Sequence, residues 1–220
     1  MSSASVLRPF GENIWLANGP GVRFMFARLP TRMIIVRLGD GSLWINSPVA
    51  VSSETLEIIQ KMGPVRYLVA PTSLHAWRLR SWHAIFPEAQ LCGPPKASHD
   101  AGHRAWADDL DQVVFRGNVF VEEIEFLHKK SRTLIMADFI QNYVAEDGNV
   151  IGNASKRLGG VLNGGVPLDI RMSFTHKKLA RESLETMLTW DFDKLVVAHG
   201  NCVERDAKEF VERIFHWLKD

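Results

Sequence analysis

The sequence predicts an α/β (α+β) protein in which two β-sheets pack face to face with helices outside. Three observations lead there. The first third reads as short strands joined by turn signals. The middle switches to a strand–helix–strand unit, the sign of a crossover in a sheet covered on its faces. The end is an amphipathic helix, a buried strand and a second amphipathic helix. No Ser/Pro linker divides the halves, so residues 1–220 are read as one domain.

Each element has its own signal. Asn13 to Asn18 and Phe24 to Leu29 are extended candidates separated by Gly19-Pro20-Gly21. Met33 to Leu38 and Ser42 to Asn46 flank Gly39-Asp40-Gly41, a hairpin signal. A helix follows, capped by Ser52 or Ser53, with Leu56, Ile59 and Met62 at helical spacing and Gly63-Pro64 as its stop. Val65 to Ala70 is a continuous apolar strand, Arg78 to Phe86 a helix ended by Pro87, and Ala89 to Cys92 a short strand. Residues 96–112 read as a polar loop with a helical piece around Arg104 to Leu110. Val113 to Phe115, Val119 to Leu127 and Thr133 to Ala137 are strands. The Gly-rich stretch 141–169 reads as loops plus a short helix near Ser155 to Leu162. His176 to Leu188 is an amphipathic helix, Lys194 to Ala198 a buried strand, and Arg205 to Leu218 the closing helix.

Composition excludes several classes. Apolar residues make up 46% and charged residues 23%, which rules out disorder. The 26 basic and 25 acidic residues leave a formal charge of +1, so there is no electrostatic footprint for nucleic acid or an anionic membrane. Apolar runs such as Met33-Ile34-Ile35-Val36 are too short to cross a bilayer. Cys92 and Cys202 form no zinc or redox motif. Met1 to Arg8 carries no secretory signal, and the expected location is the cytoplasm. The expected partner is a small-molecule ligand or substrate.

Three apolar strands deliver a metal-ligand type of residue at or just past their carboxyl ends. Leu68-Val69-Ala70 leads to His75, Thr133 to Ala137 ends on Asp138, and Lys194 to Ala198 ends on His199. Sites in α/β sheets gather at such ends. Two imidazoles and a carboxylate meeting there suit one divalent metal, zinc or alternatively iron or manganese. The plain alternative is that each polar residue caps a helix or satisfies a loop, with no metal held. His99 and His103, four apart, are weaker ligand candidates because Gly102 lies between them. His83, His128, His176 and His216 read as packed or surface residues, Glu122 and Glu123 as conceivable bases, and Cys202 as a buried structural thiol.

The order of hairpins, first helix and crossover, with Phe86-Pro87-Glu88-Ala89-Gln90-Leu91, Arg132-Thr133-Leu134-Ile135-Met136-Ala137-Asp138 and Val196-Val197-Ala198-His199-Gly200, resembles the metallo-β-lactamase superfamily. The similarity runs from about Ile14 to the end and is closest to an uncharacterised branch, on Trp190-Asp191-Phe192-Asp193 and Ala137-Asp138-Phe139-Ile140-Gln141-Asn142. The resemblance implies an αββα sandwich of two mixed sheets flanked by helices, with its site at one edge. It also implies a degenerate metal site. The superfamily's His-x-His-x-Asp-His falls on Pro71, Ser73, His75 and Ala76, and its histidine in a Gly-rich turn falls on Gly117-Asn118, so that ligand is Asn118 or absent. The bridging aspartate matches Asp138 and the last histidine His199. What remains is at most a mononuclear site of His75, Asp138 and His199.

Two functions follow from that resemblance. One is a metal-dependent hydrolase acting on an ester, amide, thioester or phosphoester. The other is a non-catalytic protein of the same fold that binds a small molecule or a protein partner. A nucleotide-binding reading is weaker, because Gly159-Gly160 and Gly164-Gly165 lack the Lys and Ser/Thr of a phosphate loop.

Overall fold

The computed structural model describes residues 7–24, 27–93, 105–146 and 149–219. Contacts divide the chain into two compact units, Met1–Asp111 and Gln112–Asp220.

The first unit holds a mixed six-stranded sheet whose strands follow chain order: β1 (Arg8–Gly11), β2 (Ile14–Phe24), β3 (Ala27–Arg37), β4 (Leu43–Asn46), β5 (Val65–Val69) and β6 (Gln90–Cys92). Pairing is antiparallel from β1 to β4, then parallel from β4 to β6. The predicted hairpin joins β3 to β4. Gly41 takes φ +83°, and Asp40 accepts from the backbone N–H of Ser42 at 2.9 Å and its hydroxyl at 2.6 Å. Those bonds from Ser42 hold the Asp40 carboxyl below its ordinary range.

Two expected breaks are absent. β2 runs straight through Gly19-Pro20-Gly21, with a register shift between Gly19 and Val22. A bulge accommodates Pro20, which has no N–H for the ladder, and the Thr31 hydroxyl donates to the Pro20 carbonyl at 3.1 Å. β3 likewise fuses two predicted segments into one strand of 11 residues.

Helix α1 (Ser53–Met62) starts on Ser52, whose hydroxyl accepts from the Thr55 N–H at 3.2 Å, a cap worth about 1 kcal/mol. It ends at Gly63, where a Cβ would lie 2.3 Å from the Gly41 carbonyl oxygen. The predicted helix Arg78–Phe86 is a 3₁₀ turn, Ser73–Arg78, running into α2 (Leu79–Ile85). Ile59 of α1 and Leu79 and Trp82 of α2 pack on Met33, Ile35, Leu43, Ile45 and Leu68. Ile34 and Val36, on the other face of β3, are buried as well. Burial on both faces is why these strands read as continuous apolar runs.

The second sheet is mixed and four-stranded, ordered β10 (Lys194–Gly200), β9 (Thr133–Asn142), β8 (Glu123–His128), β7 (Leu110–Phe115). β10 runs parallel to β9 and β8 antiparallel to it. Helices α3 (Val150–Leu158) and α4 (Leu168–Met172) precede α5 (Lys177–Leu188), and α6 (Ala207–Ile214) with a 3₁₀ turn, His216–Leu218, closes the chain. The core of this unit joins Ala180, Leu184 and Met187 of α5 and Val211 and Ile214 of α6 to Leu134, Met136, Leu195 and Val197 of the sheet. Phe115, Phe139, Phe174, Phe215 and Trp217 form an aromatic cluster with ring centroids 5.0–6.5 Å apart. Such pairs add about 0.5–1.5 kcal/mol each beyond area burial. The expected strand Val119–Leu127 forms only from Glu123, for a reason that lies in Asn118. Among the described residues no helix is long and apolar enough to cross a membrane.

Candidate functional site

In the first unit, His75 lies in the 3₁₀ turn that follows β5 and is buried. The turn begins with the His75 N–H donating to the Thr72 carbonyl at 3.1 Å. The neighbouring parallel strand β4 ends at Asn46, and Ser47 follows with φ +54°. The Ser47 N–H donates to the Val69 carbonyl at 2.9 Å, tying the two strand ends together. His75 Nδ1 stands 2.8 Å from Ser47 Oγ, and that hydroxyl donates to Asn46 Oδ1 at 2.7 Å. A hydroxyl has one proton, so with that proton on Asn46 it accepts from His75 Nδ1–H. In a neutral ring so bonded, the lone pair is on Nε2, the nitrogen left open for a ligand bond.

In the second unit, Asp138 and His199 come together. His199 Nε2 lies 3.2 Å from Asp138 Oδ1, and both side chains are buried. Neither residue stands past a strand end. β10 continues to Gly200, which pairs with Asn142 at φ +96° and where a Cβ would meet the Asn142 carbonyl oxygen at 2.1 Å. Asp138 lies inside β9, on a bulge. Val197 pairs with Met136 but His199 pairs with Gln141, so residues 137–140 stand opposite Ala198 alone.

The bulge has an anchor that the sequence did not reveal. Glu123, at the start of β8 and fully buried, accepts the backbone N–H groups of Ala137, of Asp138 at 2.8 Å and of Phe139 at 3.0 Å. Burial and then the nearby Asp138 charge push its carboxyl up to about 8, against the three N–H bonds that lower it. Among the described residues, Glu125, two residues along β8 and also fully buried, has only the Glu123 carboxyl beside its own as a hydrogen-bonding neighbour. Burial, then repulsion from Glu123, raises it well above the carboxylate range.

Asn118 is not placed to be a ligand, because every hydrogen-bonding group it has is committed. Its Nδ2 donates to the Ile170 carbonyl at 3.0 Å and to Ser173 Oγ at 2.8 Å. Its Oδ1 accepts from the N–H groups of Phe120 and Val121, both at 3.0 Å. Those two bonds turn residues 119–121 away from a ladder and delay β8 to Glu123. His128, expected at the surface, is buried, its Nδ1 2.7 Å from Ser131 Oγ in the β8–β9 hairpin. His83 is half-buried, and His176 and His216 are exposed. Cys202, expected to be buried, is only half-buried. His99 and His103 lie outside the described residues.

A family described as a domain of unknown function, DUF4336, matches residues 12–98. No curated protein matches. Solved structures do match over nearly the whole chain. A metallo-β-lactamase from Erythrobacter litoralis superposes with a TM-score of 0.60 at 14% identity, covering 96% of this chain and 92% of that one. The metallo-β-lactamase FIM-1 from Pseudomonas aeruginosa, in a mono-zinc form, gives 0.62 at 11% identity over 97% and 96%. A metal-soaked Flv1 flavodiiron core from Synechocystis gives 0.62 at 11% identity over 98% of this chain and 61% of that one. The fold is therefore of the metallo-β-lactamase type: α+β, with two mixed sheets and flanking helices.

Proposed function

We propose that the two units act as one domain and that His75, Asp138 and His199 together hold a single divalent metal ion for hydrolysis of a small-molecule substrate in the cytoplasm. One observation carries the reading: the 3.2 Å approach of a buried imidazole nitrogen to a buried carboxylate oxygen. Two ligands of a tetrahedral zinc, at bonds of about 2.0–2.2 Å, stand about 3.4 Å apart, so the pair is spaced as two corners of one coordination sphere. Coverage of 96–97% of the chain by single metallo-β-lactamase structures supports the one-domain reading. The donor set, two imidazoles and a carboxylate, suits zinc, and iron or manganese next.

Held there, a divalent ion supplies Lewis acidity toward an ester, amide, thioester or phosphoester. The chain does the rest. Ser47 holds the His75 ring and its tautomer through Nδ1, and Asp138 offers an oxygen on the side of the His199 nitrogen. Pro71, Ser73 and Asn118 stand where the resembled superfamily carries imidazoles, so the proposed site is mononuclear.

Metal analysis of protein purified without added metal, then equilibrated with zinc, tests the reading. About one equivalent is expected, falling on His75→Ala or His199→Ala. Less than about a tenth of an equivalent, unchanged by either substitution, refutes it. A second reading, a non-catalytic binder of a small molecule or a protein, is favoured by the full commitment of Asn118 to structural hydrogen bonds. It expects Asp138→Ala to alter stability while no substrate of a broad hydrolase panel is turned over by either protein.

A further inference from the structure

Residues 137–140 of β9 face one residue of β10, so their amides leave the ladder at the point where Asp138 is presented. Buried N–H groups without acceptors are destabilising, and bulges persist where something takes those bonds. Here one side chain takes three in succession. The two oxygens of Glu123 accept from Ala137, Asp138 and Phe139. The N–H of Asp138 belongs to the peptide plane before its Cα, and the N–H of Phe139 to the plane after it. Fixing both planes fixes φ and ψ at Asp138, and with them the direction of its Cβ. That direction brings Oδ1 to 3.2 Å from His199 Nε2.

We propose that Glu123 is a positioning residue for the metal centre: it holds the β9 bulge that aims the Asp138 carboxylate at the site. This rests on the metal reading above, and the part it adds is that the aim of Asp138 is set from β8 rather than by β9's own neighbours on β10. Glutamine at 123 keeps the length and volume but offers one acceptor oxygen. Its NH₂ end would face the N–H groups, donor against donor. The fold keeps its strands and the bulge loses its clamp.

The test compares the wild-type chain, Glu123→Gln and Glu125→Gln by amide hydrogen exchange and by titration with Co²⁺, read in the visible absorption. Glu125 lies on the same strand, is equally buried and binds no amide of the bulge; glutamine at 125 keeps a hydrogen-bonding group beside Glu123, so its variant controls for loss of a buried acid. In Glu123→Gln, exchange at Ala137, Asp138 and Phe139 is expected to quicken at least tenfold relative to Leu134 and Ile135. Co²⁺ affinity is expected to fall about 10–100-fold, the usual effect of removing a group that orients a ligand. Glu125→Gln is expected to change neither. Wild-type uptake of Co²⁺ with unaltered affinity in Glu123→Gln overturns the inference and leaves the metal reading standing. If the wild type takes up no Co²⁺, the metal reading fails. The amides then decide alone: uniform exchange in both variants overturns the positioning role, and selective loss at 137–139 upholds it without a metal.

Discussion

Glu125→Gln separates a buried neutral acid from an ordinary buried residue. Glu125 is fully buried, its oxygens meet only the Glu123 carboxyl among the described residues, and Glu123 repels its charge. The folded chain therefore keeps it protonated beyond the range in which a glutamate in the unfolded chain ionises. Its pKa is raised on folding, so its contribution is full below about pH 4.3 and is lost as pH climbs toward the folded value. Each pH unit above about 4.3 costs about 1.4 kcal/mol while the group stays neutral in the fold. The ceiling is about 1 kcal/mol at pH 5 and about 4 kcal/mol at pH 7.5. Glutamine keeps the shape, is neutral in both states and pays no such cost. Urea unfolding in a chelating buffer at several pH values measures the difference. The variant's stability relative to the wild type is expected to rise between pH 5 and pH 7.5, by no more than that ceiling. Parallel stability curves across that range would refute the reasoning, because Glu125 would then ionise in the fold as it does in water.

Three further outcomes follow from named contacts. Ser47→Ala removes the partner of His75 Nδ1 and is expected to weaken zinc binding about 10–100-fold, read by competition with a chelating dye, with little change in melting temperature. Asn118→His, which writes in the resembled superfamily's ligand type, is expected to destabilise the fold by about 2–3 kcal/mol, because two donor and two acceptor bonds are lost; metal analysis should show no second equivalent. Phe115→Ala takes out a ring stacked or edge-on to Phe139, Phe174 and Phe215 and should cost about 3–5 kcal/mol in denaturant unfolding.

What was legible in the sequence is what local chemistry decides. Gly39-Asp40-Gly41 makes its hairpin from its own turn residues, and Ser52 caps its own helix. Tyr67–Val69 and Leu195–Val197 are strands because both faces are covered. The parts that were not legible depend on residues far apart in the chain. Pro20 reads as a break until Thr31, eleven residues on, supplies the bond that lets the strand bulge and continue. Val119–Val121 is as apolar as a strand but is held off the ladder by Asn118. α4 is five residues long, too short to show a helical period. Asp138 reads as the end of a strand because the apolar run stops there; the strand continues to Asn142 because Glu123, 15 residues earlier, absorbs the irregularity. His75, Asp138 and His199 were singled out because each follows an apolar run in the sequence. The Ser47 contact to His75 and the three amides bound by Glu123 were not, because a hydroxyl after a strand and an acid at the head of another carry no pattern of their own.

The acids of the second unit bear on whether the site is used. Glu123, Glu125 and Asp138 are all buried, and burial, then repulsion among the three carboxyls, raises the pKa of both glutamates. A protein with no use for that arrangement would be more stable with a continuous β9 and an apolar β8, since replacing buried charged groups by packed hydrophobic ones is often neutral or stabilising by about 1–4 kcal/mol. The bulge itself gives up ladder bonds, and Glu123 accepts three of its amides. A divalent cation held as proposed by Asp138 would change the balance by supplying an opposite charge beside the three acids. A stability gain on zinc addition that is larger at pH 8 than at pH 5 by more than His protonation explains, and that disappears in Asp138→Asn, is the expected mark of that compensation. Equal gains at both values in Asp138→Asn and wild type would mean that the cation binds elsewhere and that the acids are only endured by the fold.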